Sequence, residues 1–455
     1  METELLTIVM LALLGFGVFS GYPVALVLTA TGFLAFSAAV ALGITDFGHL
    51  GLVYLRVRGI LTNEGVQFSS VPLLIFLGLV LNASGIAATL FRTLGQLLKA
   101  VPGRYAIATL LIGLILAPAA GVIGASVVTV ALVAYAPMLR SGYSASAAGS
   151  AVAASGALGV VFPPAVLLFF VANVFQLRIS AMYTALVIPV LLLVLFFSLY
   201  FAFTLRGHTD VALPDTDKPT TRDVLSVILA IGVIAAIPLS IVAGIATLSE
   251  AAGIGVFGGL AVMAFRGRLT FSRLNRTIVQ TASMTAMVFF IVVGASIFSL
   301  SFNLLEGREV LLAWITGFDL GRWMTLALLL GVILVLGFVF DWIEILLVFL
   351  PIFLPIFAQL DFADHVGSAY FSQVWLAALI ALALQTSFLT PPFGYALFFA
   401  KMAAPPGVNL ADIYRGAGPL VALEVLLISL LAWWPALVTW LPQFVLARSD
   451  TALLN

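Results

Sequence analysis

The stretch "QTSFLTPPFGYALFF", residues 385–399, places two adjacent prolines inside a charge-free run that extends from residue 366 to residue 400. A run of that length can cross a bilayer, which takes about 20 apolar residues. Proline lacks a backbone N–H and clashes with the preceding helical turn, so a proline pair opens carbonyl groups that lipid cannot satisfy. The stretch therefore predicts a helix that is interrupted inside the protein, where another group must satisfy the open backbone.

The whole chain is strongly apolar. Of its 455 residues, 63% are hydrophobic and 8% are charged, whereas soluble domains carry about 25% charged residues. This composition predicts an all-α polytopic membrane protein with on the order of ten to twelve crossings. Lys plus Arg and Asp plus Glu both number 19, so no charge excess favours a nucleic-acid partner. Cysteine is absent and the three histidines lie in polar stretches, which argues against thiol or metal-dependent hydrolytic chemistry and predicts no cofactor.

Two further charge-free runs have lengths that do not suit ordinary spans. Residues 105–139 and 141–177 contain 35 and 37 residues, each too long for one span and too short for two spans with a normal loop. Both runs are interrupted by segments rich in Gly and Pro, at 117–126 and 156–164. These interruptions predict re-entrant hairpins or broken helices.

The two halves of the chain resemble each other. "GVVFPPAVLLFF" (159–170) is echoed by "SFLTPPFGYALFF" (387–399), and their proline pairs lie 228 residues apart. A polar linker at 206–223 separates a first half, residues 1–205, from a second half, residues 224–455, and each half is expected to hold one hairpin and one broken helix. Paired interrupted helices indicate a secondary transporter built from inverted repeats, with its site near the bilayer midplane.

The predicted breaks supply candidate ligands for an ion and a substrate. Unwound backbone and short hydroxyls offer the oxygen ligands that sodium requires, and the N-termini of half-helices suit a substrate carboxylate. The alternative is that the Gly and Ser residues only allow close helix packing. The candidates are Gly124, Ser126, Thr129, Ser155, Gly156, Gly159, Pro163, Gln385, Thr386, Ser387, Thr390 and Pro391.

Acidic residues inside apolar sequence are a second kind of candidate. Asp341 and Glu344 lie in "FVFDWIEILLVFLP" (338–351), and an intramembrane carboxylate indicates ion coordination, proton relay or pairing with a basic group. Their spacing of three predicts one shared helical face. The alternative is that the segment begins at the interface and the carboxylates are solvated. We expect Glu250 to cap a helix, and Glu424 to pair with Arg415 or contact another subunit.

Several segments resemble one transporter family. "QTSFLTPPFGYALFFAKMAAP" (385–405), "FDWIEILLVFLPIFLPI" (340–356), "DIYRG" (412–416) and "GVIGASVV" (121–128) are similar to the large membrane subunit of tripartite ATP-independent periplasmic (TRAP) transporters, the DctM-type permeases. The resemblance covers nearly the whole chain. It implies an elevator-type, sodium-driven importer of the bacterial cytoplasmic (inner) membrane that binds ion and substrate in two hairpins and two broken helices.

The resemblance also assigns positions and partners. It places the first hairpin tip at 124–128, the first broken helix at 156–164, and the second pair at 337–344 and 385–392. Two partners are implied: a small four-helix membrane subunit of DctQ type, and a periplasmic substrate-binding protein of DctP type. With sodium as the coupling ion, we assign its ligands to Ser126, Gly156, Gly159, Asp341, Thr386 and Thr390.

The resulting prediction is the large permease subunit of a sodium-coupled TRAP transporter that imports a small organic acid. No GxxxxGK[ST] motif is present to bind ATP. Oxo acids, lactate and other monocarboxylates are as plausible as C4-dicarboxylates, because Ile123 and Ala125 stand where many relatives have hydroxyls. One alternative is a stand-alone sodium/carboxylate symporter without a binding protein. Another is a membrane-embedded enzyme, which the lack of Cys and of buried His argues against.

Overall fold

The computed structural model of the chain describes residues 2–62, 68–116, 123–206, 220–318, 320–338, 340–392 and 394–452. Within these ranges all regular secondary structure is helical, which confirms the all-α prediction. Most of the predicted linker at 206–223 and the first part of the interruption at 117–126 lie outside the described residues.

The helices are numbered in chain order. Up to residue 206 they are α1 (Glu2–Phe19), α2 (Val24–Ala41), α3 (Gly51–Thr62), α4 (Ser70–Ala83), α5 (Ile86–Leu97), α6 (Arg104–Leu116), α7 (Ile123–Arg140), α8 (Ala145–Val160), α9 (Val166–Val174) and α10 (Ile179–Thr204). From residue 220 they are α11 (Thr221–Val242), α12 (Leu248–Phe265), α13 (Phe271–Leu304), α14 (Gly307–Thr316), α15 (Arg322–Leu336), α16 (Trp342–Glu344), α17 (Leu350–Gln359), α18 (Ala363–Val366), α19 (Ala369–Ser387), α20 (Tyr395–Met402), α21 (Leu410–Trp433) and α22 (Ala436–Ala452).

Eight of the described helices are long and apolar enough to cross a bilayer: α2, α7, α10, α11, α12, α13, α19 and α21. A ninth candidate is the pair α4 and α5, which is bent by 68°. These spans confirm a polytopic membrane protein. They are fewer than the sequence suggested, because interrupted segments such as α8, α9 and α20 form helices shorter than an ordinary span.

The long helix α10 shows how such a span divides its surface. Leu191, Leu195 and Leu199 recur every four residues and are exposed, whereas Leu193 and Phe197 on the other side are buried. An exposed stripe of large apolar side chains suits contact with lipid. The buried side of α10 packs against α6, α9, α19 and α21.

The first of two compact units consists of Met1–Ser69 and Ala282–Phe362. Its helices α2 and α13 approach closely at Gly32, where an added Cβ atom would lie 2.9 Å from the backbone nitrogen of Phe298. The Ser301 hydroxyl donates a hydrogen bond to the Gly32 carbonyl at 2.8 Å. A small residue and a hydroxyl at this crossing are typical of helix packing in membranes.

The second compact unit consists of Ser70–Thr281 and Ala363–Asn455. Helix α8 lies at its centre and packs against α6, α7, α20 and α21. Every residue of α8 from 148 to 159 is buried, and most of them are Ala, Gly or Ser. Small side chains let four neighbouring helices approach one helix, so α8 forms the inner wall against which the interrupted segments pack.

The structure confirms the interruptions that the sequence predicts in the second and third charge-free runs, and the one predicted at 117–126 stays a prediction. Residues 105–139 form α6 and α7, and the residues between these helices, 117–122, lie outside the described part of the chain. Residues 141–177 form α8 and α9, with a break at 161–165. The third run forms α19 and α20, which flank a break at 388–394. The division into two repeated halves stays a prediction, because each compact unit takes helices from both halves.

Candidate functional site

The first break leaves backbone acceptors open inside the second compact unit. Helix α8 ends at Val160, and α9 begins at Val166 after the proline pair. Among the described residues, no donor reaches the carbonyl oxygens of Val161, Pro163 and Pro164, although all three residues are buried. The chain leaves helical geometry between α8 and α9, so the N–H groups of Ala165 and Leu168 donate to Phe162 and Ala165 instead of to these carbonyls. Open carbonyls in a buried position are ligands for water or a cation.

Backbone hydrogen bonds within the second break satisfy some of its carbonyl groups. After α19, the N–H groups of Phe388 and Leu389 donate to the carbonyls of Gln385 and Thr386, both at 3.1 Å. The chain then turns back tightly at Gly394, where an added Cβ atom would lie 2.6 Å from the carbonyl oxygen of Phe388. Only glycine fits this approach, which explains "PPFG" as a local sequence solution.

A tyrosine outside the break contacts it. The Tyr414 hydroxyl of α21 donates to the carbonyl oxygen of Pro392 at 2.5 Å. The peptide bonds Pro163-Pro164 and Pro391-Pro392 are both cis. The second break is therefore attached to α21 as well as to its flanking helices α19 and α20.

The candidate hydroxyls share one arrangement, with a single exception. Thr129, Ser155, Thr386, Ser387 and Thr390 each donate to a carbonyl three or four residues earlier in the chain, at 2.6–2.8 Å. A hydroxyl that donates in this way still has lone pairs that can accept or bind a cation. The exception is Ser126, which is 3% exposed and whose oxygen has no hydrogen-bond partner among the described residues.

Two predicted glycines have a packing role. A Cβ atom on Gly124 would lie 2.6 Å from the ring of Phe399 on α20, and one on Gly156 would lie 2.2 Å from the Val127 side chain. These approaches support the alternative that glycine in this region serves close helix contact. Gly159 differs, because its carbonyl oxygen accepts from the N–H of Val161 at the end of α8. A role of these glycines as ion ligands stays a prediction.

Helix packing brings most of the predicted site residues together within the second compact unit. Helix α20, which follows the second break, packs against α7 and α8, and α19 packs against α8 and α9. The Tyr135 hydroxyl of α7 donates to the Ala400 carbonyl of α20 at 3.0 Å. Helix α7, the first break and the second break are therefore neighbours.

The acidic pair Asp341 and Glu344 belongs to the first compact unit, and its geometry corrects one expectation. Asp341 does not share a helical face with Glu344, because it is the N-cap that precedes α16. Its carboxylate accepts from the N–H of Trp342 at 2.8 Å, and its own N–H donates to the Glu344 carboxylate at 2.5 Å. This is a capping box, in which N-cap and N3 side chains satisfy each other's backbone. A π-helical turn, Ile345–Phe349, then connects α16 to α17.

Sequence reasoning was right about Glu250 and missed the partner of Glu424. Glu250 forms a capping box with Thr247 at the start of α12, as expected. Glu424 does not pair with Arg415, whose side chain is 77% exposed and lies 3.8 Å from Asp412. Instead, the side-chain amide of Gln385 donates to the Glu424 carboxyl group at 2.6 Å. The available signal was that Glu424 is the sole charge in "GAGPLVALEVLLISLLAW", residues 416–433.

Comparisons with known proteins agree with this geometry. The family model "Tripartite ATP-independent periplasmic transporter, DctM component" matches residues 7–437. The C4-dicarboxylate TRAP transporter large permease protein DctM of Pseudomonas aeruginosa is 25% identical over 410 residues, covering 89% of this chain and 93% of the relative. The ectoine/5-hydroxyectoine TRAP transporter large permease protein UehC of Ruegeria pomeroyi is 23% identical and covers 98% of this chain and 99% of the relative.

A solved structure shares the fold. The Alcanivorax borkumensis YdaH transporter, whose structure is described as having an unusual topology, aligns with a TM-score of 0.55 at 16% sequence identity. The alignment covers 85% of this chain and 89% of that one. Since the family model extends over almost the entire sequence, the chain belongs to the DctM family, the large membrane component of TRAP transporters.

Proposed function

We propose that this chain is the permease subunit of a sodium-coupled TRAP transporter, and that it imports a small organic acid delivered by a periplasmic binding protein. The observation that supports this most directly is the first break. It presents three carbonyls, at Val161, Pro163 and Pro164, to which no described residue donates, inside the unit that also holds the second break. A dehydrated cation is a natural ligand for such backbone oxygens.

Membership of the DctM family indicates the class of activity, the cellular location and the kinds of partner. A DctM protein is a transporter permease and not an enzyme, and it is a multi-pass protein of the inner membrane. The family works with a small membrane subunit and a periplasmic binding protein. That this chain uses one DctQ-type and one DctP-type partner of its own is part of the proposal.

The proposed sodium ligands combine backbone and hydroxyl oxygens. Within the second compact unit, the lone pairs of Ser126, Thr386 and Thr390, together with the backbone of Gly156 and Gly159, supply uncharged oxygen ligands. Asp341, on the first compact unit, is a separate charged candidate. Several oxygen ligands of this kind can bind a hard cation such as sodium and still release it. The substrate carboxylate is proposed to bind at the N-termini of α9 and α20, where the helix dipole favours negative charge.

The ion gradient provides the driving force. Each net charge that moves inward releases about 2.3 kcal/mol at 100 mV, which corresponds to roughly 40-fold accumulation of substrate. In the proposed elevator mechanism, the unit with both breaks carries ion and substrate together across the bilayer. Coupling then requires that the unit moves readily only when both are bound or both are absent.

The test uses proteoliposomes that contain this chain, its small subunit and its binding protein. Uptake of a panel of ¹⁴C-labelled monocarboxylates and C4-dicarboxylates is measured with an inward sodium gradient, and again with potassium replacing sodium. We expect uptake of at least one acid, and we expect the potassium swap to abolish it. Equal uptake in potassium would refute sodium coupling.

The same vesicles separate the two transport hypotheses. Omission of the binding protein should abolish uptake if delivery is obligatory. Uptake by this chain alone, without either partner, would instead support the stand-alone symporter. Relatives named for C4-dicarboxylates and for ectoine compounds lie at similar identity, so the panel must span several classes of organic acid.

A further inference from the structure

We propose that arginines at the shared end of α11, α12 and α13 form a binding site for the headgroup phosphate of an anionic phospholipid. This arginine cluster consists of Arg92, Arg222, Arg266, Arg268, Arg273 and Arg276. All six residues belong to the second compact unit. The sodium and substrate sites proposed above include none of them, so the lipid is a separate ligand of the permease.

The arginine cluster lies at the surface of the membrane. Helices α11, α12 and α13 are three consecutive candidate spans, so the start of α11, the end of α12 and the start of α13 lie on one side of the bilayer. The basic segment 266–276 connects α12 to α13, and an excess of basic residues beside spans indicates the cytoplasmic side. The anionic lipids of that leaflet attract basic segments at the membrane surface.

The segment after α12 places its arginines on the bend between α4 and α5. The Arg266 guanidinium group donates to the carbonyls of Ser84 and Gly85, at 2.9 and 3.4 Å. Arg268 contacts the same bend, because a Cβ atom added to Gly85 would overlap its guanidinium group. Arg273, at the start of α13, donates to the Arg268 carbonyl at 3.2 Å. Three arginines of one short segment are therefore held beside α5.

Two more arginines approach from α5 and α11. Arg222, at the start of α11, donates to the Phe265 carbonyl at the end of α12, and Arg92 of α5 lies 3.8 Å from Asp223 of α11. Burial lowers the pKa of Arg266, and the charges of nearby arginines lower it further, although Asp223 opposes them. The arginines are therefore close enough to repel one another, and an anion bound among them would relieve that repulsion.

Among the described residues, acidic side chains do not balance the arginine cluster. Helices α4, α5, α11 and α12 and the first three turns of α13 carry two of them, Asp223 and Glu250. Glu250 caps the other end of α12, 16 residues from Arg266, which is a helical rise of about 24 Å. Arg268 and Arg276 are both exposed, and neither side chain has a hydrogen-bond acceptor or an acidic partner in the described part of the chain.

Exposed apolar side chains lie next to the arginine cluster. Val224 and Leu225, which follow Arg222 by two and three residues, are 38% and 44% exposed, and Phe271 at the start of α13 is 86% exposed. Guanidinium groups bind phosphate oxygens through paired charge-assisted hydrogen bonds, and exposed apolar side chains suit acyl chains. A phospholipid satisfies both kinds of surface at once, whereas a soluble phosphate satisfies only the first.

Thermal unfolding of the purified, delipidated full-length protein in neutral detergent tests the site. Phosphatidylglycerol and phosphatidylcholine with identical acyl chains are titrated separately. A ligand of the folded state raises the unfolding midpoint, and the lipid concentration that gives half of the rise is measured. We expect phosphatidylglycerol to act at a lower concentration than phosphatidylcholine. The same concentration dependence for both lipids would overturn the proposal and leave the arginines as determinants of topology alone.

The double variant Arg268→Gln/Arg276→Gln removes the two arginines that have no partner among the described residues. Its unfolding midpoint without lipid should equal that of the wild type. Its half-saturating concentration of phosphatidylglycerol should rise roughly 25-fold, about fivefold for each arginine, and its response to phosphatidylcholine should not change. An unchanged response to phosphatidylglycerol would contradict the assigned site.

The matched control is Arg178→Gln/Arg308→Gln, which removes the same net charge. Arg178 and Arg308 are exposed, and they adjoin the ends of α10 and α13 that lie across the bilayer from the arginine cluster. This variant should respond to phosphatidylglycerol as the wild type does. A loss equal to that of Arg268→Gln/Arg276→Gln would assign the effect to net charge and overturn the site.

Inorganic phosphate separates a lipid headgroup from a free anion. Added at the same phosphate concentration as the lipid, it should neither raise the unfolding midpoint nor displace phosphatidylglycerol. A midpoint rise equal to that of the lipid would assign the arginine cluster to a soluble phosphate and overturn the lipid assignment. None of these readouts involves sodium or transport, so their failure is distinguishable from a failure of the proposed sodium-coupled uptake.

Discussion

Gly113 of α6 lies against the backbone of Ser155 of α8, so closely that a Cβ atom added to Gly113 would come within 2.0 Å of the Ser155 carbonyl oxygen. The obstacle is backbone in the middle of a buried helix and cannot rotate away. Helix α6 therefore packs against α8 at a point where only glycine fits.

Gly113→Ala should destabilise the protein or prevent its assembly, because forcing a methyl group into a filled contact costs about 1–3 kcal/mol or more. Thermal unfolding in detergent and the yield of monodisperse protein measure the effect. The matched control is Gly232→Ala on α11, where nothing lies within 4 Å of the added atom. Equal behaviour of the two variants would show that α6 and α8 are less tightly packed than described.

Two buried tyrosines allow a contrast of the same substitution. Tyr135→Phe removes the hydrogen bond from α7 to the Ala400 carbonyl of α20, and we expect it to cost about 1 kcal/mol. Tyr183→Phe removes a buried hydroxyl that has no hydrogen-bond partner in the described part of the chain, so it should be neutral or stabilising. Unfolding midpoints of the two variants should differ in this order, and the reverse order would contradict the assigned contacts.

Ser126→Ala tests the unpartnered hydroxyl of α7. No hydrogen bond of this oxygen to the described residues is lost, so the unfolding midpoint should stay unchanged. If the oxygen is a sodium ligand, the half-saturating sodium concentration for uptake should rise about fivefold, equivalent to about 1 kcal/mol. Ser296→Ala on α13, whose hydroxyl donates to Val292 of the same helix, serves as control. An equal sodium response in both variants would remove Ser126 from the site.

Substitutions of Asp341 separate its capping role from a role in binding. Asp341→Asn keeps an oxygen that can cap α16 but removes the charge, whereas Asp341→Ala removes both. We expect the alanine variant to lose about 1 kcal/mol of stability relative to the asparagine variant. If the carboxylate binds sodium, both variants should lose sodium-dependent uptake. Full uptake by Asp341→Asn would leave Asp341 as a helix cap alone.

The interruptions of the helices were predictable because they follow from local chemistry. The absence of charge over long runs, and the proline pairs within them, predict broken helices at 156–164 and 385–392 without any knowledge of neighbours, and the structure has the breaks at 161–165 and 388–394. The capping box at Glu250 followed from its position just after Thr247 for the same reason. Features of this kind depend on residues that are close in sequence.

Long-range pairing was not predictable. Glu424 and Gln385 are 39 residues apart, and nothing in either local sequence specifies the other. Asp341 was misplaced because a spacing of three is equally compatible with two residues on one helical face and with the N-cap and N3 positions of a capping box. The capping geometry at Asp341 depends on where α16 begins, and helix boundaries are poorly specified by hydrophobic pattern inside a continuous apolar run.

The order in which ion and substrate bind depends on which side-chain atoms face them. Five candidate hydroxyls donate to a nearby backbone carbonyl: Thr129, Ser155, Thr386, Ser387 and Thr390. Each hydroxyl donates its only hydrogen to a carbonyl of its own chain segment. These side chains can therefore accept from a ligand or bind a cation, but they cannot donate a hydrogen bond to it. Hydroxyl oxygens that can only accept hydrogen bonds repel an anion until a cation is bound among them. If the proposed sodium coupling holds, we therefore expect the ion to bind before the substrate acid.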